Sequence, residues 1–310
     1  MQLFASRRGT AGGAHGAQFL DPAVLGRIGN LQLLAKTVVD GFLTGLHRSP
    51  YLGFSIEFAE HRQYMPGDDI RRIDWKLWAR TDRHYIKLYE ADTNANFVVL
   101  LDVSKSMSYG SHSLTKLDYA RYLAACLSFF SSQQRDRVGL VTFDREIVEW
   151  VRPSMKHLDT VLHVLDRADP GRRGDLAPPL LQVTELLGRK GILVIISDFY
   201  EEPDRVLNAV GPLRARGHDV IVFQVMDPAE LEFPFTEPSG FEDLETSEQI
   251  PVIPTKLRDD YKRMVEAHLQ ALRERFTGNR IDYTLLDTSK PLDLALFHYL
   301  LARERMSKTR

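Results

Sequence analysis

The stretch Phe97-Val98-Val99-Leu100-Leu101-Asp102-Val103-Ser104-Lys105-Ser106-Met107 constrains this chain more than any other, because an apolar run stops abruptly at one acid and two hydroxyls. Five uninterrupted apolar residues, three of them Val or Phe, predict a strand buried on both faces, as in a parallel sheet covered by helices. Asp102, Ser104 and Ser106 then lie at the carboxyl end of that strand. In an open α/β sheet, that is where ligands bind.

One carboxylate with two neutral hydroxyls is a hard, oxygen-only set, suited to Mg²⁺ or Mn²⁺ and poorly suited to zinc or copper. The plainer alternative is that Ser104 and Ser106 cap the helix that follows. A second acid favours the metal. Gly191-Ile192-Leu193-Val194-Ile195-Ile196-Ser197-Asp198 is another buried-strand pattern ending in a carboxylate, which the fold can bring beside Asp102. Two adjacent carboxylates repel unless a cation or a proton lies between them.

With 310 residues and 44% hydrophobic content, the chain can bury a core in one large or two small domains. Its one cysteine, Cys126, falls in an apolar helical run, so no intramolecular disulfide forms and a buried packing role is expected. A net charge of −2 gives no global attraction to nucleic acid or anionic lipid. Residues 1–19, rich in Gly and Ala, read as a disordered tail without a signal peptide. No apolar run approaches the ~18 residues that span a bilayer, and a cytoplasmic location is expected.

From Phe97 onward strand and helix patterns alternate, which predicts a mostly parallel sheet wrapped by helices. Helices are expected over 114–132, 155–168, 176–187, 203–216, 256–276 and 292–303, and further strands over 138–143, 147–151, 192–196, 220–225 and 281–286. Only Asp144-Arg145-Glu146 separates 138–143 from 147–151. That gap is too short for a crossover helix, so the two form an antiparallel hairpin with an edge strand. Residues 227–254 read as an acidic insertion with one short strand at about 241–246. Before Phe97, a helix over 23–46 precedes alternating strand patterns at 51–58 and 84–90. The expected division is therefore a tail (1–19), a helix with a small β-rich subdomain (20–95), and an α/β domain (96–305).

A DxSxS strand end, with a hairpin directly after the first helix, resembles the von Willebrand factor A domain and its metal-ion-dependent adhesion site (MIDAS). Upstream, Phe58-Ala59-Glu60-His61-Arg62-Gln63-Tyr64-Met65-Pro66-Gly67-Asp68-Asp69-Ile70-Arg71-Arg72-Ile73-Asp74-Trp75, followed by Ala79-Arg80, resembles the signature of the DUF58 family. Phe241-Glu242-Asp243-Leu244-Glu245-Thr246 and the segment from Tyr261 resemble its tail. The resemblance implies a von Willebrand A-like fold and a partner of the MoxR-type AAA+ ATPase class, beside which such proteins are often encoded. It also implies that Asp102, Ser104, Ser106 and Asp198 are metal ligands. The family pattern usually puts a threonine in the middle loop. Here Arg172-Arg173-Gly174-Asp175 aligns Gly174 with it, leaving Asp175 or water to supply that oxygen.

The upstream signature supports two roles. Pro66-Gly67-Asp68-Asp69 is a turn sequence, and Arg62, Arg71 and Asp74 are suited to an ion network tying the β subdomain to the sheet. Alternatively, Trp75 and Trp78 anchor a docking surface. Interleaved acids argue against phosphate binding.

Three functions follow from these patterns. The leading one is a non-enzymatic interaction module, in which a partner's Asp or Glu completes the coordination of a divalent cation. A rival is a Mg²⁺-dependent hydrolase or phosphotransferase using Asp102 and Asp198, although the chain contains no GxxxxGK[ST], GxGxxG, GxSxG or HExxH motif. The third is a scaffold with a vestigial metal site, as Gly174 suggests.

Overall fold

A computed structural model describes residues 29–48, 61–63, 85–87, 95–237, 239–242 and 249–308. Its centre is β3 (Asn96–Asp102), in which every residue after Asn96 is buried. Strands β4 (Arg137–Phe143), β5 (Ile147–Ser154), β6 (Gly191–Ser197), β7 (Asp219–Met226) and β10 (Asp282–Asp287) complete a six-stranded sheet in the order β10-β7-β6-β3-β4-β5. All pairings are parallel except β4–β5.

Both faces of β3 are covered, as its unbroken apolar run requires. Phe97, Val99 and Leu101 pack under α1 (Leu31–Arg48), α2 (Lys116–Gln133), α3 (Leu158–Asp166) and α8 (Asp293–Lys308). Val98 and Leu100 point the other way, toward α4 (Ala177–Leu186), α5 (Pro203–Ala215) and α7 (Pro254–Gly278). The side-chain period of two divides one run between two cores. Cys126 is fully buried in the first of them.

The expected edge hairpin is present. β5 pairs only with β4 and is exposed or half-buried except at Val151, as a strand with one open edge is. From β3 the chain runs outward to β4, while β6 continues to β7 on the other side. The switch in strand order therefore falls between β3 and β6, where open sheets leave a crevice at the carboxyl ends.

The acidic insertion differs from expectation. It contains α6 (Pro228–Glu232) and an antiparallel pair, β8 (Ser239–Glu242) with β9 (Gln249–Val252), rather than one strand. An isolated strand leaves its backbone groups unpaired, so the first segment requires the second. A five-residue helix is too short to show a period, but its cap is legible in Asp227-Pro228-Ala229-Glu230, which forms a capping box.

Helix α1 starts at Leu31, where the Asn30 side chain accepts from Leu33 N. Strands β1 (His61–Gln63) and β2 (Tyr85–Lys87) pair antiparallel. The tail, the strand expected at 51–58 and the signature residues from Tyr64 to Arg80, with Trp75 and Trp78, lie outside the described residues.

Gly217 stops α5 with φ +86°, and a Cβ there would come within 2.8 Å of Lys190 Cε. Gly217→Ala is expected to cost about 1–2 kcal/mol through the left-handed backbone, seen as a lower urea midpoint. An unchanged midpoint would contradict this account of the stop.

Candidate functional site

Asp102 ends β3 with its carboxylate fully engaged. One oxygen accepts from Ser104 N at 2.8 Å and the other from Ser197 Oγ at 2.6 Å. The short 3₁₀ turn Lys105–Ser108, anchored by buried Met107, folds Ser106 back so that its hydroxyl lies 3.1 Å from that of Ser104. The capping alternative fails. Ser104 makes no side-chain cap bond, and α2 is capped by Thr115, whose hydroxyl accepts from Asp118 N in a capping box.

Asp198 follows β6 in register beside β3, so both carboxylates reach the same end of the sheet. The next residue, Phe199, has φ +51°, costly for an aromatic side chain. Its backbone N donates to Ser197 Oγ at 3.1 Å, and its buried ring packs edge-on against Phe276. Gln224 Nε2 donates to the Asp198 carbonyl at 2.8 Å and is itself held by the Tyr283 hydroxyl at 2.6 Å. The sharp turn after β6 is therefore fixed from three sides, and Asp198 with it.

Lys116, the first residue of α2, is fully buried. Its ammonium donates to Asp198 Oδ2 at 2.9 Å and to Glu230 Oε1 at 2.8 Å, and lies 4.5 Å from the centre of the Tyr200 ring. Glu230 also accepts from Asp227 N, and Asp227 accepts from Ser111 N and Oγ, which ties α6 to the loop before α2.

Two carboxylates, Asp198 and Glu230, thus share one ammonium. Asp102 receives none of it directly: burial, then the charge of Asp198, push its carboxyl up to about 7 against the hydrogen bonds from Ser197 and Ser104. Burial pulls the Lys116 ammonium down, but Asp198 and Glu230 outweigh that and raise it. The cluster is short of positive charge at Asp102.

The middle loop is stitched to the same end. Gly171 N donates to Val103 O, Lys105 N donates to Arg172 O at 2.9 Å, and Arg172 N donates to Asp144 Oδ2 at 3.1 Å. A Cβ on Gly171 would come within 2.7 Å of Asp144 Oδ2, so this close approach needs glycine. Gly174 contributes no hydroxyl. Asp175, the other oxygen considered for the missing place, accepts from Ala177 N at the start of α4 and lies 3.8 Å from Arg205.

Among the described residues, no three His, Cys, Asp or Glu side chains cluster as a metal cage. The set near Asp102 consists of one carboxylate and two hydroxyls, all oxygen, with unbalanced negative charge beside it. A small hard cation that keeps several waters fits such a set; a soft metal does not.

Sequence patterns located Asp102, Ser104, Ser106 and Asp198 and missed Lys116, Glu230, Ser197 and Tyr200. Lys116 did carry a signal. A cation in the first turn of a helix opposes the helix dipole, and local rules broken in this way mark strained or functional sites.

This end of the sheet, with its one antiparallel edge pair, belongs to an α/β protein built on a six-stranded, mostly parallel sheet. Residues 60–271 match the family model described as "Protein of unknown function DUF58". The chain is 30% identical over 294 residues to the uncharacterized protein Rv1480 of Mycobacterium tuberculosis, covering 92% of this chain and 91% of that one. The chain belongs to the DUF58 family. Similar solved structures include the conserved hypothetical protein BatB from Bacteroides thetaiotaomicron, at 14% identity and TM-score 0.48, covering 70% of this chain and all of that one. Another is the vWF domain of the pili tip protein Mfa5 from Porphyromonas gingivalis, at 10% identity and TM-score 0.33, covering 69% and 95%. No helix among the described residues is long and apolar enough to cross a membrane.

Proposed function

We propose that the chain is a protein-interaction module that docks a partner at the carboxyl end of β3 and β6 through a divalent cation, Mg²⁺ or Mn²⁺. One observation carries the reading: two buried carboxylates, Asp102 and Asp198, and the paired hydroxyls of Ser104 and Ser106 meet at the switch in strand order. Asp102, Ser104 and Ser106 would hold the cation directly, with Asp198 beside them. The bound cation supplies an open position for a partner's Asp or Glu. The partner is a MoxR-type AAA+ ATPase, by the family resemblance, and this protein acts as its adaptor. No bond is broken in this role.

The test is a pull-down from the native cell with Mg²⁺ and with EDTA, using the parent chain, Asp102→Ala and Asp198→Ala. Capture of the ATPase only by the parent with Mg²⁺ supports the reading. Capture that persists unchanged in EDTA and in both variants overturns it.

A companion measurement reads the cation alone. Mg²⁺ is expected to raise the melting temperature of the parent by mass action. Asp102→Ala should abolish that rise and Ser104→Ala should reduce it less, because a neutral hydroxyl attracts the cation less strongly than a carboxylate. A second reading, a scaffold with a vestigial metal site, draws on Gly174 and on the ammonium at Asp198. Equal melting temperatures in Mg²⁺ and EDTA would favour it.

A further inference from the structure

Among the described residues, the Lys116 ammonium is the cation that this cluster sets against its carboxylates. It is fully buried, yet bonds both Asp198 and Glu230 at under 3 Å. A buried lysine is costly unless its charge is matched. Here it is matched twice, by acids 82 and 114 residues away in sequence.

We propose that Lys116 is the residue that sets the cation affinity of the site: it occupies Asp198 and leaves a divalent ion only one carboxylate that carries no ammonium, Asp102. This inference rests on the metal-dependent reading above. An ion beside Asp102 meets a second carboxylate whose charge the ammonium already balances. Its binding is therefore weaker than two carboxylates would give, and it keeps net positive charge toward an incoming acidic group.

Glu230 is the counterweight. It shares the ammonium and so relieves Asp198 of part of it. Its other oxygen accepts from Asp227 N at the start of α6, a contact that glutamine retains, since glutamine serves in a capping box as glutamate does. Two substitutions should therefore move the affinity in opposite directions. Lys116→Gln frees Asp198 and tightens binding, whereas Glu230→Gln removes one negative charge, leaves the ammonium wholly on Asp198 and loosens binding. If Lys116 were only a structural contact, both changes would loosen the site together.

The experiment is calorimetric titration of Mg²⁺, and separately Mn²⁺, into the parent, Lys116→Gln and Glu230→Gln, with folding checked by circular dichroism. The expected result is at least tenfold tighter binding by Lys116→Gln and severalfold weaker binding by Glu230→Gln. Affinities that move together, or do not move, overturn the role of Lys116 while leaving the metal reading intact. If Lys116→Gln fails to fold, Lys116→Met, which also frees Asp198, takes its place beside Glu230→Gln, and an affinity in Lys116→Met that is unchanged or weaker overturns the proposal. Absence of Mg²⁺ and Mn²⁺ binding in all three proteins overturns both the proposal and the metal reading.

Discussion

Lys116→Ala is expected to cost about 3–5 kcal/mol of folding stability, because removing one partner of a buried ion pair leaves the other charges without compensation. Asp198 and Glu230 would both lose their 2.9 and 2.8 Å contacts, and Asp102, already short of positive charge, would face an unscreened neighbour. Urea denaturation in EDTA at neutral pH measures the loss. A cost below about 1 kcal/mol, the usual worth of an exposed pair, would show that the cluster is wetter than its burial implies. The triple change Lys116→Met, Asp198→Asn and Glu230→Gln should recover most of the stability, since replacing a whole buried ion cluster is often neutral. Mg²⁺ should also restore part of the loss in Lys116→Ala.

Asp102→Asn is expected to do the reverse and stabilise the cation-free protein at alkaline pH. Burial and the charge of Asp198 raise the folded carboxyl from 3.8 to about 7. Between those values the folded protein keeps a proton that the unfolded chain has released. The associated stability is fully present below the unfolded value and is lost as pH rises through about 7. The two values differ by about three pH units, corresponding to at most roughly 4 kcal/mol. In EDTA the parent should therefore lose stability from pH 4 to pH 8, while Asp102→Asn loses much less and becomes the more stable of the two at pH 8. Mg²⁺ should reverse that order, since only the parent gains a carboxylate–cation contact. Parallel stability curves for the two proteins from pH 4 to pH 8 would show that Asp102 is ionised throughout.

Both predictions concern one cluster, whose parts differ in how far the sequence announced them. Asp102 and Asp198 were legible because the first ends an unbroken apolar run and the second follows such a run by way of Ser197, and burial of a run on both faces follows from local composition. The edge hairpin was legible for a similar reason: three residues between two strand patterns allow only a reversal. The β8–β9 pair was only half legible, since two short, weakly patterned segments gain their identity from each other.

The role of the hydroxyls could not be settled by spacing. Ser104 and Ser106 suit a helix cap as well as a ligand set, and only the structure shows that Thr115 caps α2 while the two hydroxyls face each other. Asp175 was a candidate oxygen by alignment alone. Its carboxylate instead begins α4, because an acid just before a helix satisfies a free backbone N–H at once.

What the sequence determined by itself is therefore the layered α/β architecture and the ends of the strands, because periodicity and composition act over a few residues and fix which faces must be buried. What only the tertiary structure decided is the charge balance of the site. The partners of Lys116 lie 82 and 114 residues away, on the turn after β6 and on α6. No local pattern encodes such a meeting, because electrostatic pairing depends on distance in space, which the packing of α2 and α6 over the sheet alone sets.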